Sequence, residues 1–381
     1  VIHDPAIEEW VDRARSVDIM EVATQMGARL KRSGSEWVGP CVRCGGTDRF
    51  AVKPSEQVFN CRGSEDGGDG IALVMHVREV PFMAACEIIN GEPAPERQST
   101  VMPVDPEVER ARHEARRDEE LLRRQQAEAE FNAKADKYAA FFDACRPIQG
   151  THGEAYYRLR GMPLYGDVAS DLRSHDAVKY TDDEGELVGR FPAIVAAIRT
   201  PEFRIIGAHI TYLDPDRPIK LSEPHIRRGQ PQKKVWGNQA GGAIYLGAVR
   251  PVMAIGEGIE TTISWSLFDH GSLDFGIACA INLGNMAGGS TGSIKAPDGS
   301  SVPNGIPDMD RPGIRLPEIV QEIILLGDHD LKPLNVRQHL LTAGRRFTAE
   351  GKAVSMTMPE LLNGKKTDFN DLLLAQTMRA A

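Results

Sequence analysis

Two short apolar runs in the second half of the chain stop at a glycine and then present acid. The first reads Val252-Met253-Ala254-Ile255-Gly256-Glu257, and the second Ile323-Ile324-Leu325-Leu326-Gly327-Asp328-His329-Asp330. Runs of this length suit strands buried on both faces of a parallel sheet, where ligands bind outside the carboxyl ends. In extended chain Asp328 and Asp330 face one side, about 7 Å apart, while His329 turns away. Carboxylates gathered in this way repel by roughly a few kcal/mol at an effective dielectric near 20. A divalent cation removes that cost, and hard oxygen donors in an open site suit magnesium or manganese. One D-x-D alone reads as a solvated turn. A second strand ending in Glu257 makes a metal-dependent phosphoryl-transfer site the better reading.

A second chemistry-bearing set lies near the start. Cys41-x-x-Cys44 followed by Cys61 is most of a zinc signature, because thiolates with two residues between them on a tight turn can share one tetrahedral ion. The spacing puts a fourth ligand near residue 64, where Ser64 stands; Asp66, Asp69 and His76 are the candidate substitutes. The competing reading is a cysteine-rich turn without metal. Cys86, Cys145 and Cys279 are scattered and read as buried small hydrophobes, so the six cysteines point to a reducing cytoplasm, not a disulfide framework.

The elements that position these residues follow from pattern. At 381 residues the chain can hold two or three domains. No apolar run approaches membrane-spanning length, and Val1-Ile2-His3-Asp4-Pro5 has no signal-peptide character. Net charge is −9, yet the segment from Ala28 to Arg62 is locally positive, as is Arg217 to Lys234, enough in each case to meet a few phosphates. Residues 5–27 read as helix, with Ser16 or Asp18 as a cap. A linker composition at 91–104 precedes a charged helix from Asp105 to Asp143, whose apolar stripe begins only at Phe131. Residues 178–246 read as β-rich. Ile259, Ile263 and Leu267 mark a helix packed on the acid-bearing sheet, and residues 286–313 read as a flexible loop or lid. Strand and helix then alternate to the end of the chain. No phosphate-binding G-x-x-x-x-G-K-[ST] is present, so a helicase motor is not expected within the chain.

These motifs resemble a known family. Strand-Glu257-Gly258-helix followed by strand-Asp328-x-Asp330 looks like the Toprim domain, and Lys366-Thr367-Asp368-Phe369-Asn370-Asp371 resembles its late acidic motif in phage and plasmid primases. Asp18 to Val77 is similar, motif for motif, to the zinc ribbon of bacterial DnaG-type primases. The shared features are Leu30-Lys31-Arg32, the cysteine pair, Asp48-Arg49-Phe50-Ala51-Val52, Phe59-Asn60-Cys61-Arg62-Gly63 and Gly67-Gly68-Asp69-Gly70. The family's ligand order is Cys, His, Cys, Cys; here Cys44 stands at the His position and Ser64 at the last Cys. The order Arg190-Phe191-Pro192, Lys220-Leu221-Ser222, Lys233-Lys234 is similar to the basic subdomain that precedes Toprim in primases.

The resemblance implies an α/β fold: a Toprim doubly wound parallel sheet (250–381), preceded by a mixed α+β basic subdomain (146–249), a linker and charged helix (91–145) and an N-terminal zinc-ribbon-like β module (1–90). It implies a DNA primase of the phage, plasmid or mobile-element branch, making RNA primers from ribonucleoside triphosphates on a single-stranded DNA template, with a separate replicative helicase as partner. Glu257, Asp328 and Asp330 would be catalytic, with Asp368 and Asp371 supporting magnesium. Arg190, Lys220, Lys233 and Lys234 would meet nucleotide or template phosphates. Arg49, Phe50, Lys53 and Phe59 would hold bases and phosphates of the template. A Toprim nuclease and a catalytically silent DNA-binding protein are the competing readings.

Overall fold

The computed structural model describes residues 5–33, 36–64, 66–95, 106–329, 333–361 and 367–380. The chain divides into two compact units, Val1–Asp118 with Thr181–Leu187, and Glu119–Tyr180 with Val188–Ala381.

The first unit opens with helices α1 (Pro5–Ser16) and α2 (Ile19–Gln25). The single helix expected over 5–27 is split because Asp18 caps a new one, its carboxylate accepting from the backbone N–H of Met20 at 2.8 Å. Strands β1 (Lys31–Ser33), β2 (Glu36–Cys41), β3 (Gly45–Lys53), β4 (Val58–Cys61) and β5 (Asp66–Gly68) form an antiparallel sheet in that order. Helices α3 (Gly70–Arg78) and α4 (Phe82–Asn90) complete the unit. Its core gathers Trp10, Ile19, Val22, Phe50, Val52, Phe59, Ile71, Leu73 and Val74. Phe50 and Phe59 are only 0% and 3% exposed, their ring centroids 5.6 Å apart. The base-stacking role expected of these two rings is therefore corrected: alternation along β3 and β4 turns them into the core. Arg49 on β3 is exposed.

The long helix α5 (Pro106–Ala144), whose residues from Glu119 on belong to the second unit, leads to β6 (Arg146–Pro147) and α6 (His152–Leu159). Strands β7 (Leu172–Thr181), β8 (Leu187–Arg199), β9 (Ile205–Tyr212) and β10 (Lys233–Gly237) build one sheet, in the order β10-β9-β8-β7-β6. A second sheet follows, from β11 (Ile244–Leu246), β12 (Val252–Gly256), β13 (Gly276–Cys279), β18 (Glu322–Leu326) and β19 (Ala353–Thr357), in the order β11-β13-β12-β18-β19. Here β12 runs parallel to β13 and β18, β18 parallel to β19, and only β11 is antiparallel. Helix α7 (Ile259–Ser266) follows β12, α8 (Leu283–Ala287) follows β13, α9 (Pro333–Ala349) links β18 to β19, and α10 (Phe369–Ala380) closes the chain.

Side-chain alternation loads both faces of this sheet. Ala254, Ile277 and Cys279 share a core with Ile259 and Ile263 of α7 and Phe369 of α10. Met253, Ile255, Ala278, Ile323 and Leu325 share another with Val336, Leu340 and Phe347 of α9. The first of these cores also takes in Ile194, Ala196 and Ile206 of the preceding sheet, so the expected boundary at 249/250 runs through one continuous interior.

The loop expected over 286–313 is corrected. It carries β14 (Gly288–Ser290) paired with β17 (Pro307–Pro312), and β15 (Ser293–Lys295) paired with β16 (Ser301–Pro303). Its base is held by the buried Arg346 of α9, which donates to the carbonyls of Met286 at 3.1 Å and Ala287 at 3.3 Å. Among the described residues no helix is long and apolar enough to cross a membrane.

Candidate functional site

In the first unit the turn between β2 and β3 delivers Cys41 and Cys44, the end of β4 delivers Cys61, and α3 delivers His76. Ligand atoms of these four residues lie within 4.8 Å of one another. His76 is 5% exposed, on the helix face that also buries Leu73. Its Nε2 lies 3.2 Å from Sγ of Cys41 and 3.9 Å from Sγ of Cys44, while Nδ1 lies 2.7 Å from Oδ2 of Asp66. Three sulfurs and one imidazole nitrogen, with a carboxylate behind the imidazole, form the donor set of a structural zinc site with its outer partner in place. Asp69 is occupied elsewhere, capping α3 by accepting from the N–H of Ala72 at 2.9 Å.

The thiols differ. Burial opposes ionisation of Cys61, yet the Ser64 hydroxyl and the N–H groups of Gly63 and Ser64 prevail and hold its pKa down at about 6. Burial pushes Cys44 up to about 11. Asp66 is held below the usual carboxylate range, first by the hydrogen bond from His76 and then by Ser64.

In the second unit, Glu257 and Asp328 leave the carboxyl ends of adjacent parallel strands, where Ile255 is in register with Leu325. Both are half-buried. The glycines before them sit in tight packing: a Cβ on Gly256 would stand 2.3 Å from Oγ1 of Thr262 on α7, and one on Gly327 would stand 2.5 Å from Cδ1 of Leu340 on α9, so either neighbour would have to shift. Each strand therefore ends directly beneath a helix. Thr261, in the first turn of α7, donates its hydroxyl to Oδ2 of Asp328 at 3.1 Å. Asp330 lies outside the described residues. His329 donates its N–H to the carbonyl of Thr367 at 3.1 Å, bringing the late acidic motif against the end of β18. Asp368 and Asp371 form a reciprocal cap on α10, each accepting the other's N–H at 2.8–3.0 Å. The donor set of Glu257 and Asp328 is all oxygen, which fits a hard divalent cation.

Beside the acids sits a basic cluster. Lys220 Nζ lies 2.9 Å and Lys233 Nζ 3.5 Å from Oε2 of Glu260, while Tyr156 donates its hydroxyl to Oε1. Burial alone would raise the Glu260 carboxyl, but Lys233, Lys220 and the tyrosine hold it down at about 2. His209 of β9 lies close by, 7% exposed; burial, Lys233 and Lys220 push its pKa down to about 3, so its imidazole is neutral. Of the four predicted phosphate-binding cations, the fold brings only Lys220 and Lys233 together. Lys234 points to the opposite face of β10, its Nζ 4.2 Å from the Tyr180 ring centre. Arg190 reaches the carbonyl of Ala177 at 3.5 Å on the neighbouring strand. Period-two alternation separates Lys234 from Lys233.

Residues 4–96 match the family described as the CHC2 zinc finger, and residues 132–246 match a domain of unknown function, DUF7146. The chain is 26% identical over 251 residues to a DNA primase of Halalkalibacterium halodurans, covering 58% of this chain and 39% of that one. It is 35% identical over 82 residues to a DNA primase of Geobacillus stearothermophilus, covering 21% and 14%. The chain is therefore similar to DnaG-type primases, through its zinc-finger residues 4–96 and these two relatives. It spans less than half the length of these curated relatives. A crystal structure of the zinc-binding and RNA polymerase domains of Aquifex aeolicus primase is similar at 13% identity and a TM-score of 0.38, covering 97% of this chain and 84% of that one.

The resemblance implied the order Cys, His, Cys, Cys; the cluster here is Cys41, Cys44, Cys61 and His76, with the histidine last and on helix α3. Sequence reasoning left His76 as one of three options and missed Glu260 and Tyr156. The signal for Glu260 was an acid directly after Ile259 on the buried face of α7, where an unpaired charge is costly.

Proposed function

We propose that this chain is a DNA primase that makes short RNA primers on single-stranded DNA by metal-dependent nucleotidyl transfer. The observation that carries the reading is the first turn of α7, where Thr261 touches Asp328 and Glu260 gathers Lys220 and Lys233. One helical turn thus joins a carboxylate site for cations to an ammonium site for phosphates. On this reading the parallel sheet is a Toprim domain. Curated relatives named DNA primase support the assignment.

In the reaction, the 3′-hydroxyl of one ribonucleotide attacks the α-phosphate of the next, and pyrophosphate leaves. Glu257, Asp328 and Asp330 would hold magnesium or manganese, which when bound stabilises the charge that develops on the attacking and leaving oxygens. Thr261 orients the Asp328 carboxylate, and Lys220 and Lys233 meet the charge of the polyphosphate. The zinc module would carry the template, with the exposed Arg29, Lys31, Arg32, Arg49 and Arg62 toward its phosphates. A separate helicase as partner and an origin on a mobile element belong to the same proposal.

The test is ribonucleotide incorporation on a single-stranded template with magnesium. Primers are expected from the wild type and none from Asp328→Ala. Cut DNA would indicate the nuclease reading, and unchanged synthesis by Asp328→Ala would refute the site.

A further inference from the structure

Glu260 is an anion buried where the primase reading needs room for a substrate's phosphates. Its side chain is 14% exposed, while those of Lys220 and Lys233 are 24% and 35% exposed. Both ammonium groups meet the same carboxylate oxygen, at 2.9 and 3.5 Å. Each carries three N–H donors, of which the carboxylate takes one. Among the described residues no other acceptor engages them, which leaves donors for a second acceptor.

We infer that Glu260 is the resident counter-anion of a phosphate cradle made by Lys220 and Lys233, with which the polyphosphate of a nucleotide or free pyrophosphate must compete. The inference rests on the primase reading for the identity of the ligand. Two ammonium groups brought this close repel, and burial adds to the cost of keeping them charged. Burial indeed lowers the proton affinity of Lys220; Glu260 opposes that and Lys233 adds to it. The other groups acting on the cluster are Tyr156, Tyr157 and Arg160 from α6 and its C-terminal turn, His209 from β9, Cys279 from β13 and Glu257 from the end of β12. The tyrosines, the thiol and His209 are neutral. Lys220, Lys233 and Arg160 against Glu260 and Glu257 leave the cluster cationic by one, and a polyphosphate supplies the missing negative charge.

This assignment reverses the sign expected of a structural ion pair. A supporting salt bridge predicts weaker ligand binding when Glu260 is removed, whereas a competing anion predicts tighter binding. The probe is inorganic tripolyphosphate, titrated calorimetrically into the full chain without divalent metal at fixed ionic strength. Glu260→Gln is expected to bind about tenfold tighter, the scale of one charge-assisted contact freed from competition, and to gain more thermal protection from the probe than wild type. Lys220→Met is expected to lose binding, because Lys233 and Glu260 then cancel. Adding Glu260→Gln to Lys220→Met is expected to restore it.

Equal or weaker binding by Glu260→Gln overturns the inference. If that variant does not fold, the Lys220→Met/Glu260→Gln pair decides, since it removes one charge of each sign; binding no tighter than that of Lys220→Met alone overturns the inference. Primer synthesis by the wild type separates the two claims. Tighter binding by Glu260→Gln with no wild-type synthesis keeps the cradle and sinks the primase reading. Synthesis with tripolyphosphate binding unmoved by Glu260→Gln sinks the cradle alone.

Discussion

Replacing Asp66 with asparagine tests whether His76 is a zinc ligand with a carboxylate behind it. The substitution keeps an oxygen able to accept the Nδ1–H across the 2.7 Å contact but removes the charge. Outer partners of ligating histidines are worth about 10–100-fold in metal affinity, or roughly 1.4–2.7 kcal/mol. The Asp66 side chain is 48% exposed, so water screens its charge and the effect belongs near the tenfold end. His76→Ala removes a ligand itself. With roughly 10–16 kcal/mol shared among four ligands, that loss is on the order of 3 kcal/mol, more than a hundredfold. The assay is chelator competition for zinc at neutral pH on the full chain, comparing wild type, Asp66→Asn and His76→Ala. If Asp66 were the ligand and His76 its support, the order of the two losses would invert. Equal losses, or none for His76→Ala, would refute the ligand set drawn here.

Three further outcomes follow from the second unit. Asp328→Asn should lower primer synthesis by about a hundredfold or more while single-strand binding stays within about twofold, read by incorporation and fluorescence anisotropy. Because His209 is held neutral, with a pKa of about 3 against 6.5 in the unfolded chain, the unfolded state binds the extra proton between those values. Stability should therefore fall as pH drops below 6.5, and His209→Met should remove up to about 1.4 kcal/mol per pH unit of that slope, measured by denaturation at a series of pH values. Arg346→Met should cost about 3–5 kcal/mol in thermal unfolding, since it strands Glu350 and the carbonyls of Met286 and Ala287; a loss below about 1 kcal/mol would show that the arginine does not anchor the insertion.

What the sequence made legible was local. Cys41-x-x-Cys44 and the apolar runs ending at Gly256 and Gly327 carry their geometry in their spacing, because a turn and a strand each fix where the next few side chains point. The fourth zinc ligand was not legible, since it comes from a helix packed back across the ribbon. Nothing in the spacing from Cys61 distinguishes the three residues near it: Asp66, which orients; Asp69, which caps; and His76, which enters the cluster. The insertion over 286–313 reads as loop because its Gly, Ser and Pro content is that of turns, and its strands are three to six residues long. Its base is hydrogen-bonded to Arg346, some forty residues later, which no local window can see. Phe50 and Phe59 were ambiguous for a related reason. An aromatic in a ribbon serves core and stacking surface equally well until the opposite face is known to be covered.

Lys220, Lys233 and Glu260 make the same point about charge. Counting cations along the chain grouped Lys233 with Lys234, because proximity in sequence looks like proximity in function. A strand works against that grouping, since its neighbours face opposite sides, and Lys234 spends its charge on the Tyr180 ring. The cation that shares a site with Lys233 is instead Lys220, which a loop returns to the same face, and the residue that joins them is an acid on another element. An acid and two lysines from three segments come together only when the parallel sheet and the preceding one share an interior, as they do through Ile194, Ile206 and Ala254. If that shared core is what sets the cradle, loosening it should spread the lysines before it unfolds the protein. A substitution such as Ile206→Ala is expected to weaken tripolyphosphate binding at temperatures where its circular dichroism still matches wild type. Loss of binding only in step with unfolding would mean that the lysine pair is held locally by Glu260 alone.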